Sequence, residues 1–281
     1  MTPDRINSPE ILPPAKTWND VATRLPKLKD CQNRNLVSLT VLDNGEIKPF
    51  ENFPSELLIP GQNVGVEVTG GPRATKTSLI QLLNYELNIR GIKNQTYPES
   101  GEEKLKDIGL GAYNLSMSHS ATKDILLNSL RQVSQPTIYT YDRAAHNALA
   151  FSWANNIAMD KSNKVCLSNP RYGIMEKEMV AENGSYMKVL FIFHIDPATS
   201  MSRGSQTDES YLKLLSQTLK HLPDDICKIR RDNNEVKDYA PLVVAEVDAN
   251  QHPSSYPDLF LATYGTIFQK YSEQIPSWSF Y

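Results

Sequence analysis

Apolar residues along this chain of 281 residues fall into two alternating rhythms. Short unbroken runs, "NVGVEVTG" (63–70), "TIYTYD" (137–142), "VLFIFHID" (189–196) and "PLVVAEVDA" (241–249), have the length and β-branched or aromatic content of buried strands. Between them lie stretches with helical spacing. "KTSLIQLLNYELNIRG" (76–91) sets Leu79, Leu82, Leu83, Leu87 and Ile89 on one side and stops at Gly91. Helices are likewise predicted over 118–136, 144–159, 208–222 and 257–271, with a second, more polar strand over 92–99. Strands alternating with helices predict an α/β fold, a parallel sheet covered by helices on both faces.

Ahead of this alternation, "LVSLTVLDNGEIKPF" (36–50) carries Asp43, Asn44 and Gly45 between apolar alternations, the signal of a β-hairpin. The proline-rich residues 1–20 are expected to form an irregular arm. The division expected is an N-terminal extension over 1–60 and the main domain over 61–281.

Composition narrows the function classes. At 40% hydrophobic and 22% charged residues the chain reads as globular, and a net charge of -3 gives no general attraction to nucleic acid. No apolar run approaches the roughly 20 residues that span a bilayer, and the polar N-terminus is unlike a signal peptide, so the expectation is a cytoplasmic protein without a membrane partner. Cys31, Cys166 and Cys227 lack CxxC spacing and are expected to be reduced thiols. The five histidines show no HxxxH or HExxH spacing, and His194 reads as a hydrogen-bonded histidine of a buried strand.

In open α/β sheets ligands gather beyond the carboxyl ends of the strands. The first such end is "GGPRATKTS": Gly70, Gly71, Pro72, Arg73, Ala74, Thr75, Lys76, Thr77 and Ser78. Gly70, Lys76 and Thr77 satisfy the phosphate-loop pattern GxxxxGK[ST], whose second glycine is replaced by Thr75. A loop opening into a helix meets phosphate with backbone N–H groups and the positive end of the helix dipole. Lys76 would neutralise the β- and γ-phosphates of ATP, and Thr77 would offer its hydroxyl to Mg²⁺. Asp142, at the end of the third strand, fits either a helix N-cap or a carboxylate that holds Mg²⁺, and Arg143 beside it can clamp a phosphate or lie solvated.

The order of these strand ends resembles the thymidylate kinase-like branch of the P-loop nucleoside and nucleotide kinases. The stretches that carry the resemblance, across residues 64–271, are GGPRATKT, TYPESGEE, YDRAAHNALAF, FIFHIDPATSMSR and VVAEVDANQ. It implies a three-layer P-loop kinase-like sandwich and an ATP- and Mg²⁺-dependent phosphotransferase whose acceptor is a nucleoside, a nucleotide or a similar small hydroxylated compound. Lys76, Glu99, Asp142, Arg143 and Arg203 would be its catalytic residues. Glu99 would take the acceptor's proton, with Glu102 and Glu103 as neighbouring substitutes, and Arg203 would reach the transferring phosphoryl group. Asp248, Ala249 and Asn250 would lie near the adenine base, and dimerisation through a helix is common in the family.

Two departures favour a second reading, a nucleotide-binding or structural module that is catalytically weak or inactive. Thr75 crowds the loop, and Gln95, Thr96 and Tyr97 stand where monophosphate kinases carry an arginine. Ala144 also replaces the aromatic residue that often follows Asp-Arg. A switch NTPase is less supported, because no DxxG-like or NKxD motif follows the loop.

Overall fold

The computed structural model describes residues 10–27, 36–43, 45–50, 64–97, 136–144, 146–147, 149–151, 153–154, 187–232, 241–251 and 256–274. Its strands are β1 (Val37–Asp43), β2 (Glu46–Pro49), β3 (Val64–Gly70), β4 (Lys93–Tyr97), β5 (Thr137–Asp142), β6 (Met187–His194) and β7 (Leu242–Asp248). Its helices are α1 (Trp18–Arg24), α2 (Lys76–Ile89), α3 (Pro197–Ser202), α4 (Glu209–Asp232) and α5 (Tyr256–Gln274). Further helical residues lie between 146 and 154.

One seven-stranded sheet runs β2-β1-β7-β6-β3-β5-β4. The five neighbouring strands β4, β5, β3, β6 and β7 pair in parallel. The predicted hairpin forms from β1 and β2 and adds itself antiparallel to the β7 edge, so the sheet is mostly parallel. β3 is buried along its whole length, with Val64, Val66 and Val68 in a core shared with α1, α2 and α5. On the other face Leu190, Ile192 and Val244 pack with Leu215, Leu219, Leu222 and Ile226 of α4 and with Leu149 and Ala150. Helices therefore cover both faces in three layers, the α/β arrangement that the alternation of patterns predicts.

Two local outcomes differ from expectation. α4 runs ten residues beyond the predicted end at 222, straight through Pro223. A proline there forfeits one backbone hydrogen bond, and the buried stripe that continues through Leu222, Ile226 and Cys227 offsets the loss. The expected irregular arm, 1–20, runs into a helix at its end, because Thr17 and Asp20 make a reciprocal capping box that starts α1. Residues ahead of α1 are held in place, Leu12 N–H donating to Ile89 O at 2.8 Å and Ala15 N–H to Gly91 O at 2.7 Å. The helix predicted over 118–136 lies outside the described residues, and no described helix is long and apolar enough to cross a membrane.

α1 docks on α5, with Trp18 stacked on Phe268 at 5.4 Å. The approach depends on Gly265, where a Cβ would stand 1.8 Å from Pro26 O. Gly265→Ala must push the 25–26 segment off α5, and the expected cost is about 1–3 kcal/mol. Urea unfolding checks it: the midpoint falls if the contact is needed and stays put if the segment contributes nothing.

Candidate active site

β3 stands between β5 and β6. The connection leaving β3 goes through α2 to β4 on one side, while that leaving β6 goes through α3 and α4 to β7 on the other. Diverging crossovers open a crevice above the carboxyl ends of β3 and β6, the place where such sheets bind ligands. The loop 70–75 turns into α2 at this point.

Both glycines of the turn answer to packing. At Gly70 (φ 141°) a Cβ would lie 2.4 Å from Phe193 O, and at Gly71 one would lie 2.6 Å from Ile195 Cγ2. The backbone thus presses against the end of β6, and Gly71 N–H donates to Phe193 O at 3.3 Å. Beyond Pro72, Arg73 (φ 60°) and Thr75 (φ 61°) adopt left-handed backbone, Thr75 doing so as the N-cap of α2. Its hydroxyl supplies no cap and instead donates to Ala74 O at 2.6 Å. The first turn of α2 therefore starts without a side-chain cap and without an acidic residue, which leaves the positive end of its dipole uncompensated by side chains of that turn.

Lys76 is almost fully buried, its Nζ 3.0 Å from Gly70 O and 2.6 Å from Gly71 O, so its ammonium group folds back over the loop. Thr77 Oγ1 donates to Asp142 Oδ2 at 2.7 Å. The other carboxylate oxygen, Asp142 Oδ1, is buried without a hydrogen-bond partner. An orphaned buried anionic oxygen calls for a donor or a cation. Beside a threonine hydroxyl it fits Mg²⁺, which takes few protein oxygens and completes its shell with water and phosphate. No cluster of three or more His, Cys, Asp or Glu residues able to hold a metal occurs among the described residues. Arg143 follows in left-handed backbone (φ 61°), its N–H donating to Val68 O at 3.0 Å.

The remaining expected residues separate. Ser78 is exposed on α2, and Ala74 is buried in the core. Asp248 ends β7, and its Oδ1 accepts from Asn250 N–H at 3.0 Å and from Asn250 Nδ2 at 2.8 Å. Ala249 is buried, donating to His194 O at 2.7 Å. Arg203 caps the end of α3 with its guanidinium on backbone carbonyls of residues 249–251. Glu99, Glu102 and Glu103 lie outside the described residues. His194 pairs with Glu246, Nε2 to Oε1 3.0 Å, at the rim of the sheet. Cys227 is buried, and burial pushes its thiol up to about 11, which keeps it protonated at neutral pH.

Sequence reasoning missed the support behind the site. Glu67, fully buried in β3, accepts from the N–H groups of His146 (3.3 Å) and Asn147 (2.9 Å) and meets His146 Nδ1 at 2.7 Å. Thr69 Oγ1 donates to Asn147 Oδ1 at 2.7 Å. These bonds fasten the segment following Arg143 to the strand that carries the loop. Ser200 Oγ, on α3, likewise donates to Pro72 O at 2.9 Å. A lone glutamate inside the run VGVEVTG was the available signal for the first; nothing marked Ser200.

No family model matches the chain, and no curated protein matches it in sequence. It is similar to two solved structures of a deoxyadenosine kinase from M. mycoides. The first has bound dATP, with 15% identity over 72% of this chain and 98% of that one and a TM-score of 0.47. The second has bound dCTP, with 16% identity over 72% and 100% and a TM-score of 0.48.

A β-branched residue in left-handed backbone carries strain of about 1–2 kcal/mol. Thr75→Gly removes it and gives back about 0.5–1 kcal/mol in unfolded-chain entropy. The expected net result is a stabilisation of up to about 1 kcal/mol, read as a higher midpoint in urea; a lower midpoint would mean that the threonine methyl contributes packing worth more than the strain.

Proposed function

We propose that the protein is an ATP- and Mg²⁺-dependent phosphotransferase whose acceptor is a nucleoside, a nucleotide or a similar small hydroxylated compound. The observation that carries this reading is the pair Thr77–Asp142, with its orphaned Oδ1, set at the uncapped N-terminus of α2 beside the buried ammonium of Lys76. Cation site, anion site and counter-charge converge at the sheet's crevice, and a metal triphosphate needs all three.

In this reading the amides of loop 70–77 receive the phosphates, and Lys76 turns its charge from the carbonyls of Gly70 and Gly71 towards the β- and γ-oxygens. Thr77 and Asp142 would hold Mg²⁺, which would supply neutralisation of phosphate charge. Arg143 stands next to Asp142 at the same strand end and is suited to clamp a phosphate on the acceptor side. Glu99, with Glu102 and Glu103 close in sequence, is the candidate to take the proton from the attacking hydroxyl. A homodimer accompanies the reading as an expectation from the resemblance, and a cytoplasmic location as one from the lack of a spanning apolar run and the polar N-terminus.

A second reading keeps nucleotide binding without efficient transfer. Thr75 supports it by occupying left-handed backbone where the phosphate loop's second glycine belongs, and Arg203 supports it by spending its guanidinium on carbonyls.

Titration with Mg·ATP in a calorimeter and a nucleoside panel with ATP together test both. Phosphorylation of at least one nucleoside is expected, with kcat/KM lowered about 100-fold or more in Lys76→Ala. Binding without turnover selects the second reading, and no affinity for any magnesium triphosphate removes both. Asp142→Asn is expected to raise the Mg²⁺ concentration required for half-maximal binding of ATP; an unchanged requirement would take the metal away from this carboxylate.

A further inference from the structure

The link from α3 to α4 spans only residues 203–208, and Arg203 is its one cationic residue. Its guanidinium is spread over backbone carbonyls. Nη1 lies 2.8 Å from Ala249 O and 3.5 Å from Arg73 O, and Nη2 lies 3.3 Å from Asn250 O and 2.8 Å from Gln251 O. A planar fork on three successive carbonyls is a geometric clamp, which an ammonium group cannot reproduce. For Arg203 to grip a phosphate, these bonds would have to be given up.

The other end of α3 holds the same loop. Asn250 Oδ1 accepts from Asp196 N–H at 2.8 Å, while Asp248 Oδ1 fixes Asn250 from within the loop. Ser200, between the two ends, bonds the phosphate loop at Pro72 O. Loop 249–251 is therefore tied through α3 to the rim of the phosphate loop formed by Pro72 and Arg73.

The direction of a bound nucleotide follows from the metal pair. Thr77 and Asp142 lie on the β5 side of β3, so in the proposed site the phosphates held with a cation would lie on that side. With the phosphates there, the rest of the molecule would leave past the opposite rim, towards β6 and β7, where Arg73, α3 and loop 249–251 stand. We infer that Arg203 is a positioning residue for the nucleoside half of the triphosphate: its guanidinium holds loop 249–251 as a preformed wall and makes no phosphate contact. The inference rests on the proposed triphosphate site. A wall ordered before binding spares the ligand the cost of ordering it.

Calorimetry with Mg·ATP and with Mg·tripolyphosphate, which has the phosphates and no nucleoside, separates the roles. Wild type, Arg203→Ala and Arg203→Lys are compared, each checked for folding by a thermal melt without ligand; should the alanine variant not fold, the lysine variant decides. Both variants are expected to bind ATP about tenfold or more weakly while tripolyphosphate binding stays within about twofold. Equal losses for the two ligands in Arg203→Ala, recovered in Arg203→Lys, would make Arg203 a phosphate ligand and overturn the inference. ATP affinity unchanged in both variants would overturn it as well. Wild-type protein that binds neither ligand removes the triphosphate site itself, and the inference with it, an outcome distinct from the other two.

Discussion

The close approach between the end of β3 and the end of β6 sets the rest of the site. With a Cβ at Gly70 only 2.4 Å from Phe193 O, and one at Gly71 only 2.6 Å from the Ile195 side chain, no other residue type fits this turn without moving β6. The turn bends hard enough to start α2 directly over the sheet. Lys76, the first residue of that helix, then falls within reach of the two glycine carbonyls, and Thr77 within reach of Asp142 on the neighbouring strand. A packing constraint thereby yields a dipole, an ammonium group and a carboxylate arranged around one point, which is a chemical arrangement.

Rigidity around that point comes from both sides by different means. On the β5 side a buried carboxylate, Glu67, accepts two backbone N–H groups and faces a histidine ring, fastening the segment after Arg143 through groups that burial makes costly to leave unpaired. On the β6 and β7 side the ties are neutral or singly charged and closer to solvent: Ser200 to Pro72, Asn250 to Asp196, Arg203 to residues 249–251. The first set resists opening more than the second. Any movement that accompanies ligand entry is thus cheaper on the α3 side, where fewer buried polar groups would lose their partners.

Much of the fold could be read because it is carried by hydrophobic period. The runs at 63–70, 137–142, 189–196 and 241–249 became β3, β5, β6 and β7, since an unbroken apolar stretch of that length is buried on both faces in a parallel sheet. The hairpin was legible from Asp43, Asn44 and Gly45, but its edge was not, because pairing with β7 is a long-range choice that no local signal records. α1 was overlooked although Thr17 and Asp20 spell a capping box; the flanking prolines outweighed a signal of two residues. At the site, Lys76, Thr77 and Asp142 were visible as a motif, while their mutual geometry was not. Arg203 illustrates the limit most clearly: sequence spacing gives a residue's place in the chain, and only the fold shows that three carbonyls already occupy its side chain.

Whether such a platform transfers a phosphoryl group depends on charge delivered as the reaction proceeds, beyond what binding requires. Transition-state stabilisation needs donors aimed at the oxygens where charge grows, with water excluded. In the proposed reading Lys76 and the amides of α2 would already serve the bound phosphates, so they would lower the ground state and the transition state together and accelerate little by themselves. The differential part must come from a cation that engages late. If Arg203 serves the nucleoside side as proposed, with no second cation on the link 203–208, that duty would fall to Arg143, which follows Asp142 at the same strand end. Glu67 and Thr69, through the segment that follows Arg143, would then bear indirectly on chemistry as well as on stability.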